Sequence, residues 1–226
     1  LALPLEGKIV GIMHILNDSL SDVVQSDETK ILYGQDYFYE TLLGLKFRIS
    51  TFSFFQPNSL AAEVLYNIVR DYIQNTSGME VFDLYSGTGT IAQLLAPVAK
   101  EVIGVELNRD AVRDAIGNAK GNGVKNIRFY QADAGEFMVA MAERGESMDV
   151  VFMDPPRAGS DEAFLQSVAK LAPKKIVYIS CSPETLARDL KYLTKKHYEV
   201  SKICPVDMFP FTEHVECIVS MVKKEK

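Results

Sequence analysis

The feature that most constrains this chain is a change of rhythm near residue 56. Downstream of it, short apolar runs at 80–85, 101–107, 127–131, 149–153 and 175–180 alternate with segments of helical period at 90–98, 110–122, 135–144, 161–171 and 183–195. The runs are nearly continuous in Val, Ile, Phe and Tyr, as strands are when helices cover both faces of a parallel sheet. In the tail, 199–205 and 214–222 follow one another with no helix between, which predicts an antiparallel hairpin on the sheet edge. The expected class is α/β, a seven-stranded, mostly parallel sheet closed by that C-terminal hairpin.

Upstream, the runs at 8–16, 30–33, 38–43 and 46–55 are β-branched and aromatic, separated by Asn17-Asp18, Gly34-Gln35 and Gly44. They predict a small β-rich appendage over 1–55, with the main domain over 56–226. Between them Leu60, Val64, Ile68 and Tyr72 share a helical face behind an Asn58/Ser59 cap, and Ser77-Gly78 is the expected stop.

At 226 residues and 47% hydrophobic, the chain can bury a substantial core. It has no apolar run near the roughly 20 residues that span a bilayer, and no basic-then-apolar leader. The simplest expectation is a cytoplasmic monomer without membrane contact. The three cysteines, Cys181, Cys204 and Cys217, have neither disulfide nor zinc spacing, so no metal is expected. A net charge of −6 does not favour a polyanionic partner, but Lys170, Lys174, Lys175, Arg188, Lys191, Lys195, Lys196 and Lys202 are concentrated in one stretch. That run either faces nucleic acid or is a solvated helix face.

Three chemical signals lie at predicted strand ends. Asp83-Leu84-Tyr85-Ser86-Gly87-Thr88-Gly89-Thr90 closes one strand and opens a helix, a loop whose glycines let the backbone approach a nucleotide. Ala92 breaks the full dinucleotide fingerprint, which leaves an NAD-dependent oxidoreductase in third place. Glu106, 19 residues past Gly87, is placed to accept from ribose hydroxyls, and Asp133 follows the next strand; each acid is equally well read as a helix cap. Asp154-Pro155-Pro156-Arg157 is a rigid strand exit whose Arg157 stands where amine methyltransferases carry an aromatic residue. Cys181, in Ser180-Cys181-Ser182-Pro183, stands before a helix whose amino terminus favours a thiolate. Glu216 lies between Val215 and Cys217 in the last strand, so alternation turns it away from both; it is either buried, which would suit it to acid/base work, or a surface glutamate on an edge strand. Phe52, Phe54, Phe55 and Phe209 either wall a pocket or belong to the core. Cys204 and Cys217 read as packing residues, and His14, His197 and His214 as surface or structural ones.

Taken together, these residues resemble the RNA uracil-5 methyltransferases. The matching pieces are Phe54-Phe55-Gln56-Pro57-Asn58, the 83–90 loop, Glu106, Asp133, the 154–157 exit, Ser180-Cys181-Ser182-Pro183 and His214-Val215-Glu216, in the family's order over roughly 1–222. The resemblance implies a Rossmann-like class I fold and S-adenosyl-L-methionine (AdoMet) as methyl donor. It implies Cys181 as nucleophile, Glu216 as base, and Gln56, Tyr85, Gly87, Thr90, Glu106, Asp133 and Asp154 as cofactor-binding positions. The implied substrate is a flipped or unpaired uridine in structured RNA, ribosomal RNA ahead of transfer RNA. Family members also carry an amino-terminal barrel, and many carry a four-cysteine iron–sulfur cluster. The chain starts at Leu1 and shows neither, so it reads as a piece of a longer protein, any cluster belonging to the preceding part. An RNA cytosine-5 methyltransferase is the nearest rival. It is disfavoured because Pro156 and Arg157 occupy the region of its second cysteine. A non-catalytic AdoMet-binding RNA module is the rival of another class, and it predicts that Cys181 and Glu216 stand apart.

Overall fold

The amino-terminal strands pair locally. In the computed structural model, which describes residues 7–18, 28–73 and 78–224, β1 (Gly11–Leu16) and β2 (Glu28–Gly34) form one ribbon, β3 (Tyr37–Leu42) and β4 (Leu45–Ser50) another. The strand expected over 46–55 stops early because the chain turns at Thr51, where Ser53 N donates to Ser50 O at 3.0 Å. Leu42, Phe47 and Ile49 are buried in the same cluster as the central sheet.

The following helix α1 (Ser59–Tyr72) is capped by Asn58, whose Oδ1 accepts from Ala61 N at 3.1 Å. Its buried face is not the expected one. Leu60 and Val64 are exposed, whereas Ala62, Leu65, Tyr66 and Val69 are buried. Both stripes have helical spacing; the one that packs into the core cluster with the sheet is Ala62, Leu65, Tyr66 and Val69, and Asn58 Nδ2 ties the helix start to Met208 O at 3.0 Å. The helix ends at Tyr72, and Ser77 of the expected stop lies outside the described residues.

The alternating region follows its predicted order: β5 (Glu80–Leu84), α2 (Thr90–Leu95), β6 (Glu101–Glu106), α3 (Arg109–Gly121), β7 (Ile127–Gln131), α4 (Ala134–Arg144), β8 (Val150–Met153), α5 (Glu162–Leu171), β9 (Lys175–Ser180), α6 (Pro183–Thr194), β10 (Tyr198–Val206) and β11 (Glu216–Lys223). The seven strands run β10-β11-β9-β8-β5-β6-β7. β5 to β9 are mutually parallel where they pair. The C-terminal hairpin adds with its last strand inside, since β11 pairs antiparallel with both β9 and β10. A chain that returns from the edge into the sheet buries its most apolar strand, and β11 is buried from Glu216 to Met221. Among the described residues no helix is long and apolar enough to cross a membrane.

The hairpin β3–β4 is pinned to α3. Asn118 bonds Arg48 N and O at 2.7 and 3.0 Å, and Asn122 does the same for Lys46 at 3.0 Å each. A helical i,i+4 step rises about 6 Å and a two-residue strand step about 6.8 Å, so two amides one turn apart serve as a substitute strand for the β4 edge. Buried Asp114 on the same helix pairs with Arg48 and accepts from Ser50 N at 2.9 Å.

Gly89, the N-cap of α2, has φ +76°, and a Cβ there would stand 2.6 Å from Phe129 Cζ. Gly89→Ala combines left-handed strain with a clash and is expected to cost about 2–4 kcal/mol. The check is a lower urea midpoint at unchanged m-value; an unaltered midpoint would mean that the Phe129 ring yields freely.

Candidate active site

Alternation along the strands sorts the residues at the sheet's carboxyl edge. Val81, Val102, Phe152, Ile179 and Ile218 pack in the layer under α1, α2 and the β3–β4 hairpin, while Phe82, Ile103, Val151, Tyr178 and Val219 pack towards α4, α5 and α6. Stepping on by two from the first group brings Asp83, Glu106, Asp154, Cys181 and Glu216 to one face. Five side chains scattered over 134 positions of sequence (83 to 216) thereby share one ledge.

The antiparallel register adds a direct juxtaposition. Cys217 pairs with Ser180 and Val206 with Glu216, so continuing the β9–β11 ladder by one rung sets Glu216 opposite Cys181. Directly opposed residues hold their Cβ atoms about 5 Å apart on the same face.

Electrostatics describe the same cluster. Glu216 is only 6% exposed, and burial pushes its carboxyl up while Arg157 draws it back. Asp154 is pushed up to about 8 by burial, with Glu216 and Asp83 adding repulsion. Asp83 is pushed up to about 7 by burial, with the Ala92 backbone N–H drawing it back and Glu106 adding repulsion, and among the described residues no side chain hydrogen-bonds its buried oxygens. The Cys181 thiol also lies above its ordinary value, through burial first and then the Glu216 and Asp154 carboxylates; Arg157 and a backbone hydrogen bond pull the other way. This corrects the expectation of a favoured thiolate. Cys181 does precede the Ser182 N-cap of α6, but burial and two nearby carboxylates outweigh the helix terminus. Arg157 is the cation of the group, with Nη2 2.9 Å from His214 Nδ1.

The glycine loop provides the neighbouring half of the ledge. Glu106 accepts from Gly87 N through Oε2 at 2.9 Å and from Asn108 N through Oε1 at 2.7 Å. Two backbone donors thus fix its carboxylate and leave lone pairs for outside hydroxyls. A Cβ on Gly87 would meet nothing closer than Phe54 O at 4.0 Å, so the loop is open to an approaching ligand. Thr90 is buried with Oγ1 3.2 Å from that of Thr88, and Gln56 is buried ahead of α1. Tyr85, at φ +73°, turns to the other side and packs on Phe164 at 6.1 Å between centroids. Its hydroxyl is pushed up to about 12 by burial and by Asp133, which places these two expected cofactor positions together. Asp133 also caps α4, accepting from Glu136 N at 3.0 Å, so its simpler reading is realised as well.

Two members of the cluster were not singled out from sequence. Asp83 was legible only as part of the loop motif. Tyr66 was assigned to no face, yet it is buried on α1 with its ionisation opposed by burial and then by Asp154, Asp83 and Glu216. Among the aromatics, Phe54 is exposed, Phe52 is partly buried, and Phe55 and Phe209 pack against the core. The basic run does not act as a unit: Lys174 pairs with Asp149 at 2.9 Å, Lys175 donates to Tyr72 O at 2.8 Å, and Arg188 pairs with Asp189 at 2.8 Å. Cys217 is buried and Cys204 partly so, while His14, His197 and His214 are exposed. No group of three or more His, Cys, Asp or Glu is placed to hold a metal ion among the described residues.

A parallel sheet extended by an inserted antiparallel last strand, with a glycine loop after its first parallel strand and an acid after the next, defines the class I methyltransferase fold. A solved methyltransferase described as SAM-dependent, from Agrobacterium tumefaciens, shares it at TM-score 0.64 and 14% identity over 88% of this chain and 74% of its own. The family model for tRNA (uracil-5-)-methyltransferase matches residues 14–224, and the chain belongs to that family. A Clostridium tetani protein described as an uncharacterized RNA methyltransferase is 50% identical over 97% of this chain and 48% of its own length. The Pyrococcus abyssi tRNA (uracil-54, C5)-methyltransferase, solved in complex with S-adenosyl-L-homocysteine, superposes at TM-score 0.76 with 34% identity, covering 96% of this chain and 52% of the other. The chain therefore spans about half the length of such relatives.

Proposed function

We propose that this chain carries the AdoMet site and the reacting residues of an RNA methyltransferase that modifies C5 of a uridine through a transient bond from Cys181 to C6. The observation that carries the reading is the β9–β11 register, whose last rung pairs Ser180 with Cys217, so that Cys181 and Glu216 are the next residues beyond it, at the edge that also bears Asp154 and Asp83. The residues fit the donor. Glu106 offers a fixed carboxylate to a ribose diol, Gly87 leaves the loop open, and the buried Asp83 carboxylate, which no cation neutralises among the described residues, suits a cationic group. Tyr85 and Asp133, with Gln56, Thr90 and Asp154, complete the proposed binding set. Bound there, AdoMet supplies an electrophilic methyl on sulfonium.

The chain's own residues supply the rest. Cys181 Sγ, as thiolate, adds to C6 of the uracil, and the C5–C6 π electrons move to O4, which makes C5 nucleophilic. Once C5 carries the methyl group, Glu216 takes the C5 proton, the double bond re-forms and the sulfur leaves C6. A carboxylate held above its ordinary value by burial is a stronger base than an exposed one, and Arg157 acts against that shift. The C6 face of a stacked pyrimidine is closed, so the target base must be flipped or unpaired, with Phe54 available for stacking at the rim. Residues 1–55 are proposed as an RNA-contacting region distinct in role from 56–226, and ribosomal RNA is proposed ahead of transfer RNA as substrate.

Incubation with unmodified ribosomal and transfer RNA transcripts and labelled AdoMet, followed by mass spectrometry of the nucleosides, tests this reading. 5-Methyluridine is the expected product, and the transcript that carries it names the RNA class. 5-Methylcytidine would transfer the assignment to the cytosine enzymes, and an absence of product on every RNA would favour a module that binds without reacting.

A further inference from the structure

The 154–160 exit from β8 is bound along its length by one face of α6. Thr185 Oγ1 donates to Arg157 O at 3.1 Å, and Arg188 Nη2 donates to Ala158 O at 3.1 Å and Ser160 O at 2.9 Å. Asp189, fully buried, accepts from Ser160 N at 2.9 Å and from Tyr178 Oη at 2.7 Å, and from Arg188 Nε at 2.8 Å. Positions 185, 188 and 189 are one stripe of the helix. Within the loop, Gly159 N closes a turn on Pro156 O at 2.8 Å. The fit is tight enough that a Cβ on Gly159 would stand 2.6 Å from Arg188 Nη2 and 2.9 Å from Asp189 Oδ2.

This stripe connects two parts of the ledge. α6 begins directly after Cys181, and the loop it grips carries Arg157, the cation acting on both Cys181 and Glu216. We propose that Asp189, with Arg188 and Thr185, is a positioning residue for the methyl-transfer site: by fixing the 157–160 backbone against the helix that begins just after Cys181 it sets where Arg157, whose Nη2 lies 2.9 Å from His214 Nδ1, carries its charge beside the site. The proposal rests on the reading of Cys181 as the nucleophile. Asp189 itself does not touch the ledge; it acts through Arg157.

The consequence is readable without RNA or cofactor. Only the thiolate of Cys181 reacts with iodoacetamide, so its alkylation rate against pH reports the thiol's environment. In the folded chain, followed by peptide-resolved mass spectrometry to separate Cys181 from Cys204, Arg157→Gln is expected to move the profile to higher pH. The sign follows from the removal of a cation that favours the thiolate. A shift of one unit means about tenfold slower alkylation on the acid side of the profile. Asp189→Asn should move it the same way, and should add little when Arg157 is already Gln. Thr185→Val, which removes one hold on the loop without altering a buried charge, should give a smaller shift of the same sign and serves if Asp189→Asn does not fold. A shift of equal size with or without Arg157, or no shift in either variant, would overturn the positioning role. Because the assay involves no RNA, these outcomes are independent of whether uridine is the substrate; failure to form 5-methyluridine would count against the function alone.

Discussion

Glu216→Gln is expected to leave RNA attached to the protein. With Cys181 intact, addition at C6 and methylation of C5 still proceed, but nothing accepts the C5 proton, so the adduct persists as a slowly migrating species in a denaturing gel. Turnover should fall by about 10²–10⁴-fold, the usual contribution of a positioned base. Cys181→Ala should behave differently, forming neither adduct nor product. The contrast is what the proposed roles imply for two residues lying one step past the Ser180–Cys217 rung, since the first makes the bond and the second permits it to break. If Glu216→Gln released product at the normal rate, the base would have to be sought among Asp154 and Asp83, the other carboxylates of the ledge.

Asp83→Asn is expected to make the free protein more stable and its cofactor binding weaker. Asp83 is 1% exposed, and among the described residues no side chain hydrogen-bonds its oxygens, the Ala92 backbone N–H being the group that draws its carboxyl back. Its carboxyl titrates near 7, against 3.8 in an ordinary setting. A folded-state value above the unfolded one means the folded chain holds the extra proton. The associated stability is fully present below the unfolded value and is lost as pH rises through about 7. Asp154, titrating near 8, acts in the same direction and extends the window upward. The unligated wild-type chain should therefore melt at a higher temperature at pH 5.5 than at pH 8. Asp83→Asn should flatten that slope and raise the melting temperature at pH 8 by about 5–10 °C, a few kcal/mol for a chain of this size. Loss of the negative charge should also weaken S-adenosyl-L-homocysteine, whose ammonium is cationic, by about 10–100-fold in calorimetry. A variant that melted lower at pH 8 and bound equally well would show that Asp83 is satisfied in the free protein and serves no cationic ligand.

Much of this site was legible before any coordinates because chemistry at a strand end leaves short, local marks. Asp83 to Thr90, Asp154 to Arg157 and Ser180 to Pro183 each join an apolar run to turn residues, and a chain needs no long-range information to write them. Glu216 was recognisable from its apolar neighbours. What local marks do not carry is orientation. The stripe Leu60, Val64, Ile68 and Tyr72 has the same helical spacing as the stripe that is buried, and the packing of Ala62, Leu65, Tyr66 and Val69 against the sheet, with the bond from Asn58 to Met208, decides between them. Tyr66 was missed for that reason. The Cys181 environment is hidden from sequence for a related reason: the helix amino terminus is visible there, whereas Glu216 and Asp154 reach the thiol only through the sheet.

By itself the sequence determined the alternating fold, the order of its elements, the family and the residue types at each strand end, because period and turn chemistry are properties of neighbouring residues. The tertiary structure decided the rest: that β11 inserts beside β9 and brings Glu216 towards Cys181, that Asp83 lies buried with no side-chain hydrogen bond among the described residues, and that α6 grips the loop bearing Arg157. These depend on strand register and helix rotation, which are settled by contacts between residues distant in sequence, and those are made only when the layers pack.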